Sequence, residues 1–248
     1  MAVVAIGQAD IKRLIGYSSV SHSGFIALGI FAMTTQGQSG ATLYMVATGF
    51  ATGALLILAG FLMSRRGSQR IADFGGVQKV APVLAGLFLL SGLAMLSLPG
   101  MSTFVSEFLV VLGTFTRYKV PAILATVAMI LAAFYILWMY QRMMNGPTVR
   151  AVAHMPDLRT RELWAAVPLV ALSVAIGVYP QPVLHVINPA VRYTMSQTGR
   201  TDPVPPHPAT AQAGQTAARR TVTVRPAHAV PAADLVPARG PAKKGIAP

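Results

Sequence analysis

The sequence contains no cysteine, which excludes disulfides, cysteine-held iron–sulfur clusters and thiolate metal sites together. It is also poor in charge: ionisable Asp, Glu, Lys and Arg make up 11% of it, where a water-soluble domain uses about 25% to cover its surface. No glycine-rich phosphate loop follows a strand-like stretch, so the sequence carries no dinucleotide-binding fingerprint. The start lacks the basic, apolar and small-residue succession of a signal peptide. The short apolar stretch Ala2 to Ile6 instead runs into Gln8-Ala9-Asp10-Ile11-Lys12-Arg13. Residues 1–14 read as the end of a preceding helix and a cytoplasmic turn, as expected of a truncated or split product.

What fills the chain is apolar sequence, 54% of all residues, with a net charge of +13. The positive charges gather between the apolar runs. Basic residues in that arrangement orient membrane helices and do not argue for nucleic acid. A bilayer core takes about 20 apolar residues per helix. Ile15–Thr34 and Ala41–Ser64 each supply one span, and Val120–Tyr140 and Leu163–Ile187 supply two more. Val80–Phe115 is apolar over 36 residues, too long for one straight crossing at about 1.5 Å per residue. Leu98-Pro99-Gly100-Met101-Ser102-Thr103 interrupts it, because proline and glycine together break a helix. With one broken span, Lys12, Arg13, Arg65, Arg66, Arg70, Lys79, Arg142, Arg150, Arg159 and Arg161 collect on one side. Only Arg117 and Lys119 lie in the short loops opposite. Splitting the stretch into two spans gives a weaker bias of eight against four, so the positive-inside rule favours one broken helix.

The fold expected is therefore an all-α, polytopic membrane helix bundle of about five spans, the third broken in mid-membrane. The transmembrane domain covers residues 15–190. Residues 191–248 are expected to form a disordered Pro/Ala/Arg-rich tail on the outer face, since they have few large apolar side chains to offset the entropy of ordering. Arg219, Arg220, Arg225, Lys243 and Lys244 in that tail are candidates for anionic lipid or a neighbouring subunit.

Glu107 is the most informative residue. It follows the Pro99-Gly100 break within Phe104-Val105-Ser106-Glu107-Phe108, with no basic residue within nine positions. An acid at membrane depth faces a protein interior or a water-filled cavity, and broken helices line such cavities. Two readings stand: an ion-pathway carboxylate, or a carboxyl held neutral or paired for structure. His22 lies in the hydroxyl-rich run Tyr17-Ser18-Ser19-Val20-Ser21-His22-Ser23, with Ser18 and Ser19 on its helix face. Such a histidine either moves protons near neutral pH or bonds between helices for packing alone. Gly49 and Gly53, beside Thr48 and Thr52, read as a small-xxx-small packing pair. Trp138, Tyr140 and Trp164 near span ends suit interfacial anchors. His154, His185, His207 and His228 show no metal-ligand spacing.

Asp10-Ile11-Lys12-Arg13-Leu14-Ile15-Gly16-Tyr17-Ser18-Ser19-Val20-Ser21-His22 resembles the D-I-K-R-L-I-A-Y-S-S-V-S-H stretch of antiporter-like subunits in proton-pumping NADH-quinone oxidoreductases. Ile71-Ala72-Asp73-Phe74-Gly75-Gly76, Leu98-Pro99-Gly100, Phe104 to Phe108, Met139-Tyr140-Gln141-Arg142 and Gly177-Val178-Tyr179-Pro180-Gln181-Pro182 are similar to the same family. The likeness runs from about Ala5 to Ala190. An acid in the broken helix resembles the subunit M branch; the sister branches L and N carry lysine there. By this resemblance Glu107 is the terminal proton-relay carboxylate and His22 the histidine feeding it, with Ser18, Ser19, Ser21 and Thr48 as supporting polar residues. Where the family has Asn-His-Gly this chain has Ala47-Thr48-Gly49, so a second relay histidine is absent and water held by Thr48 would bridge. Ser106 stands where a glycine is usual. The resemblance also implies that NAD, FMN, iron–sulfur clusters and quinone belong to partner subunits, and that this chain itself binds no cofactor or metal. Its expected partners are lipid and other membrane subunits of such a complex, neighbouring antiporter-like subunits above all. Its expected setting is the cell's inner or plasma membrane, as a non-redox part of a translocating enzyme. Two alternatives remain: a subunit of a multi-subunit sodium/proton antiporter, or a remnant without function.

Overall fold

The computed structural model describes residues 1–203. They form helices α1 (Ala2–Ile6), α2 (Ile11–Phe31), α3 (Thr35–Arg66), α4 (Val77–Val80), α5 (Pro82–Met95), α6 (Ser102–Phe115), α7 (Lys119–Met144), α8 (Thr160–Val178) and α9 (Gln181–Gln197), with a single 3₁₀ turn at Ile71–Asp73. Among them α2, α3, α7 and α8 are long and apolar enough to cross a membrane. Segments α5 and α6 together make one further crossing. The all-helical, five-crossing bundle is thus what the hydropathy pattern predicts.

The helix ends follow local chemistry. The Asp10 carboxylate accepts the Arg13 N–H at 3.2 Å and starts α2. The Thr34 hydroxyl accepts the Gly37 N–H at 3.1 Å and starts α3. Gly67 stops α3 in the left-handed conformation, φ 71°, which a glycine adopts without steric penalty. Pro82 occupies the first turn of α5, and the Asp157 carboxylate accepts the N–H groups of Val83 and Leu84 at 2.9 and 3.0 Å. These are donors that no helix satisfies internally.

The loops sort into two ends. Ile11 N–H bonds Gln69, Ile71 N–H bonds Ala9 and Gly76 N–H bonds Asn145, all through backbone carbonyls at 2.9–3.0 Å. This end also holds Asp157 at the start of α5 and the 2.5 Å Arg65–Glu162 ion pair. At the other end Arg117 donates to the carbonyls of Met33 and Ala32 at 2.8 and 3.3 Å, and Thr34 donates to the Gly113 carbonyl. Residues 82–115 therefore run once from one end to the other. The break lies about half-way, where the hydroxyl of Thr52, near the middle of α3, donates to Met95 Sδ at 3.3 Å. Ser97 and Gly100 turn the chain there with φ 57° and 96°.

Two expectations need correcting. The span over Leu163–Ile187 does not continue through its middle: α8 stops at Val178, and α9 begins at Gln181. Pro180 and Pro182 supply no N–H, and a residue before proline avoids helical backbone; Tyr179 sits at φ −132°, ψ 78°. α9 is amphipathic. Ile187, Val191 and Met195, each four residues apart, pack on Leu43 of α3, while Val186 and Tyr193 face outward. Residues 191–197 accordingly belong to a helix and not to the expected tail. The remainder of that tail, from residue 204 on, and its basic residues lie outside the described residues.

The second correction concerns close packing. Gly49 has no neighbour within 4 Å of where a Cβ would stand, and Gly53 only Leu169 at 4.0 Å. The tight contacts of α3 are at Gly37 and Gly40 instead. Gly40 lies 2.8 Å, measured from a Cβ position, from the Val110 backbone of α6, and Gly113 of α6 presses on the Gly37 backbone. Gly49 is exposed because α3 turns its Gly37–Gly40 face, not that one, to α2 and α6. Toward the outside, Val120, Ile123, Leu124, Val127, Ile130 and Phe134 leave an apolar stripe along α7, as a lipid-facing helix does.

Candidate functional site

The polar residues of the spans meet inside the bundle. On α2, Ser18 and His22 are one turn apart and both buried, because positions i and i+4 share a helix face. On α3, Tyr44 and Thr48 repeat that spacing and are buried too. Glu107 reaches them from α6, with 1% of its surface exposed. Tyr135 enters from α7, fully buried.

Tyr44 stands at the centre. Its hydroxyl is in short hydrogen-bond contact with Glu107 Oε1 on one side and with His22 Nδ1 on the other. His22 Nδ1 lies 3.4 Å from the same carboxylate oxygen. No Lys or Arg pairs with Glu107 among the described residues. Burying a lone carboxylate costs several kcal/mol unless hydrogen bonds or a counter-charge offset it, and here the tyrosine hydroxyl and the imidazole are the groups in place to do so. Ser18 and Tyr135 share a 2.8 Å hydroxyl–hydroxyl bond one turn from His22. Two buried atoms of this cluster, His22 Nε2 and Thr48 Oγ1, have no hydrogen-bond partner among the described residues. Buried polar atoms of this kind are ordinarily satisfied by water.

The break adjoins this cluster. Ser102 and Ser173 of α8 share a 2.8 Å bond, Ser106 donates to the Ser102 carbonyl at 3.0 Å, and Thr103 donates to the Ala94 carbonyl across the gap. Gly177 of α8 packs directly against Gly100 and Met101.

Of the residues singled out from sequence, Glu107 and His22 are brought together, Thr48 lies one turn beyond their bridge, and Ser18 pairs with Tyr135. Ser19 and Ser21 are half-buried and make no side-chain bond to the cluster. Tyr44 and Tyr135 were not legible as site residues, since a tyrosine in an apolar span also reads as packing. One signal was present: a buried tyrosine hydroxyl needs a partner, and Tyr44 stands four residues before Thr48 as Ser18 does before His22.

A bundle of membrane-length helices with one crossing broken beside a buried acid defines a multi-pass membrane protein of antiporter-like architecture. The family described as NADH:quinone oxidoreductase/Mrp antiporter, transmembrane region, matches residues 1–134, and the chain belongs to that family. NADH-quinone oxidoreductase subunit M of Mycobacterium tuberculosis is 56% identical over 204 residues, which are 82% of this chain and 37% of that protein. A chain of respiratory complex I from Thermus thermophilus with bound NADH superposes with a TM-score of 0.72 at 35% identity, over 79% of this chain and 41% of its own length. A chain of the Mrp complex from Dietzia superposes equally well, TM-score 0.72 over 79% of this chain and 45% of its own, at 20% identity; that likeness concerns the fold alone. The chain thus spans less than half the length of each of these relatives.

Proposed function

We propose that this chain is part of a proton-translocating subunit of an NADH-quinone oxidoreductase complex. The observation that carries the proposal is the buried Glu107 carboxylate beside the broken helix, joined to His22 through one hydroxyl and supplied with no fixed positive charge. A carboxylate so placed changes charge only by taking or losing a proton. His22, whose imidazole contacts the bridging hydroxyl, is a group that can hold and pass on a proton beside it. Water between Thr48 Oγ1, His22 Nε2 and the Ser18–Tyr135 pair would connect the cluster to its supply. The chain is a non-redox part of the enzyme in this reading. NAD, FMN, iron–sulfur clusters and quinone are held by partner subunits, and other antiporter-like membrane subunits are its neighbours. The 56% identity to a subunit M supports this reading over a sodium/proton antiporter subunit.

Affinity isolation of the intact subunit from mild-detergent extracts tests the assignment. It should bring down flavin- and iron–sulfur-containing subunits with NADH:quinone reductase activity. Recovery with antiporter subunits alone, without flavin, would overturn it.

Orientation follows from charge. The end carrying Lys12, Arg13, Arg65, Arg66, Arg70, Lys79, Arg142, Arg150, Arg159 and Arg161 is proposed to face the cytoplasm of a cell inner or plasma membrane. Asp202, bonded to the Thr35 N–H at 2.7 Å, then leaves on the outer face. An alkaline-phosphatase reporter fused after Gln197 should be active, and one fused after Ser68 silent. The reverse pattern would reject the orientation.

A further inference from the structure

We propose that the Tyr44 hydroxyl is the proton carrier between His22 and Glu107. The proposal rests on the proton-relay reading of the site.

Direct exchange between His22 and Glu107 is poorly served, since Nδ1 and Oε1 are 3.4 Å apart, beyond the 2.7–3.2 Å range of ordinary N–H···O bonds. Tyr44 Oη closes that gap, bonded to both groups. Its ring is fixed by edge-on packing against His22, with centroids 5.9 Å apart at 81°, and against Phe25 at 6.2 Å and 79°. The hydroxyl therefore has little freedom except rotation about its own C–O bond. Thr48 carries a hydroxyl one turn away on the same face of α3, and its Oγ1 makes no protein hydrogen bond among the described residues.

The transfer balances. In the starting arrangement His22 is an imidazolium, Tyr44 a neutral phenol and Glu107 a carboxylate. The phenol O–H breaks as its proton passes to Glu107 Oε1, and the imidazolium Nδ1–H breaks as its proton passes to Tyr44 Oη. The end state is neutral imidazole, neutral phenol and carboxylic acid. Net charge is zero before and after, and no tyrosinate accumulates, so no uncompensated charge appears in a low-dielectric interior. The imidazole left behind keeps its proton on Nε2, an atom with no hydrogen-bond partner among the described residues, and Nδ1 is the site open to the next proton.

Tyr44→Phe in the complete complex keeps the ring and its packing but deletes Oη. Proton pumping should fall by about ten-fold or more, the lower side of what a positioned proton-transfer group contributes, while native gels show normal amounts of complex. Replacing Tyr44 by 3,5-difluorotyrosine keeps a hydroxyl of nearly the same size but makes it more acidic. The pH profile of coupled activity should then move to lower pH, which a hydroxyl needed only for packing would not cause. Undiminished pumping in Tyr44→Phe, with pumping abolished in Glu107→Gln, would overturn the role of Tyr44 and leave the relay reading standing. Undiminished pumping in both would reject the relay reading itself. If Tyr44→Phe does not assemble, the fluorinated variant decides, and an unmoved pH profile overturns the proposal.

Discussion

Glu107→Gln in the assembled complex is expected to abolish proton pumping and to bring coupled NADH-quinone activity down with it, by more than about ten-fold. The amide matches the carboxylate in size, and its oxygen still accepts the Tyr44 O–H. What is lost is the ability to gain and release a proton. Removing a buried charge does not destabilise a protein when the remaining partners stay satisfied, so the amount of complex should hold. Glu107→Asp keeps a titratable group one methylene shorter and should retain part of the activity. His22→Ala should also depress pumping, because Thr48 offers no second imidazole. A carboxyl kept for packing alone predicts the opposite order, with Gln harmless and Asp, which withdraws from Tyr44, the more damaging change. Normal pumping by an assembled Glu107→Gln complex would end the case for a relay; proton uptake into inverted membrane vesicles, measured beside NADH oxidation, decides it.

Gly177→Val should have a large structural effect. A Cβ at this position would lie 2.6 Å from Met101 Cα, and nearer still to the Gly100 carbonyl oxygen and the Met101 carbonyl carbon. All three are backbone atoms, so no rotamer change relieves the clash. Overpacking a core costs about 1–3 kcal/mol, more where backbone must move. The movement would fall on the break itself and separate Ser102 from Ser173, now 2.8 Å apart. Loss of most of the assembled complex from native gels is therefore expected for valine, and a clearly lowered Tm for Gly177→Ala. Gly49→Ala is the matched control: that position has open space around it, and alanine favours a helix over glycine by about 1 kcal/mol. Equal stability of the Gly177→Ala and Gly49→Ala complexes would show that α8 does not hold the break.

Much of this architecture is written locally. Hydropathy along α2, α3 and α7, the Pro99-Gly100 interruption and the sorted basic residues are enough to place four unbroken crossings and one broken one. Each is a property of consecutive residues in one chain segment. Glu107 is legible for the same reason, since a carboxyl with no base within nine positions must find its partner across a helix interface. The turn at Tyr179–Pro180 is written there too, in two prolines within the apolar run from Leu163 to Ile187.

Contacts between helices are another matter. Which face of α3 meets α6 depends on how the two helices are rotated and how closely they approach, and backbone atoms set that distance. Gly37, Gly40 and Gly113 permit the approach, whereas Gly49, another glycine of α3, faces open space. The same rotation carries Tyr44 between His22 and Glu107 and sends Ser18 to Tyr135, partners 22, 63 and 117 residues apart in the chain. The amino-acid sequence determined that a histidine lies at membrane depth in the first span and an acid in the third. Only the packing decided that a tyrosine stands between them, because a hydrogen bond between helices is fixed by the phase and separation of their axes, which no single segment encodes.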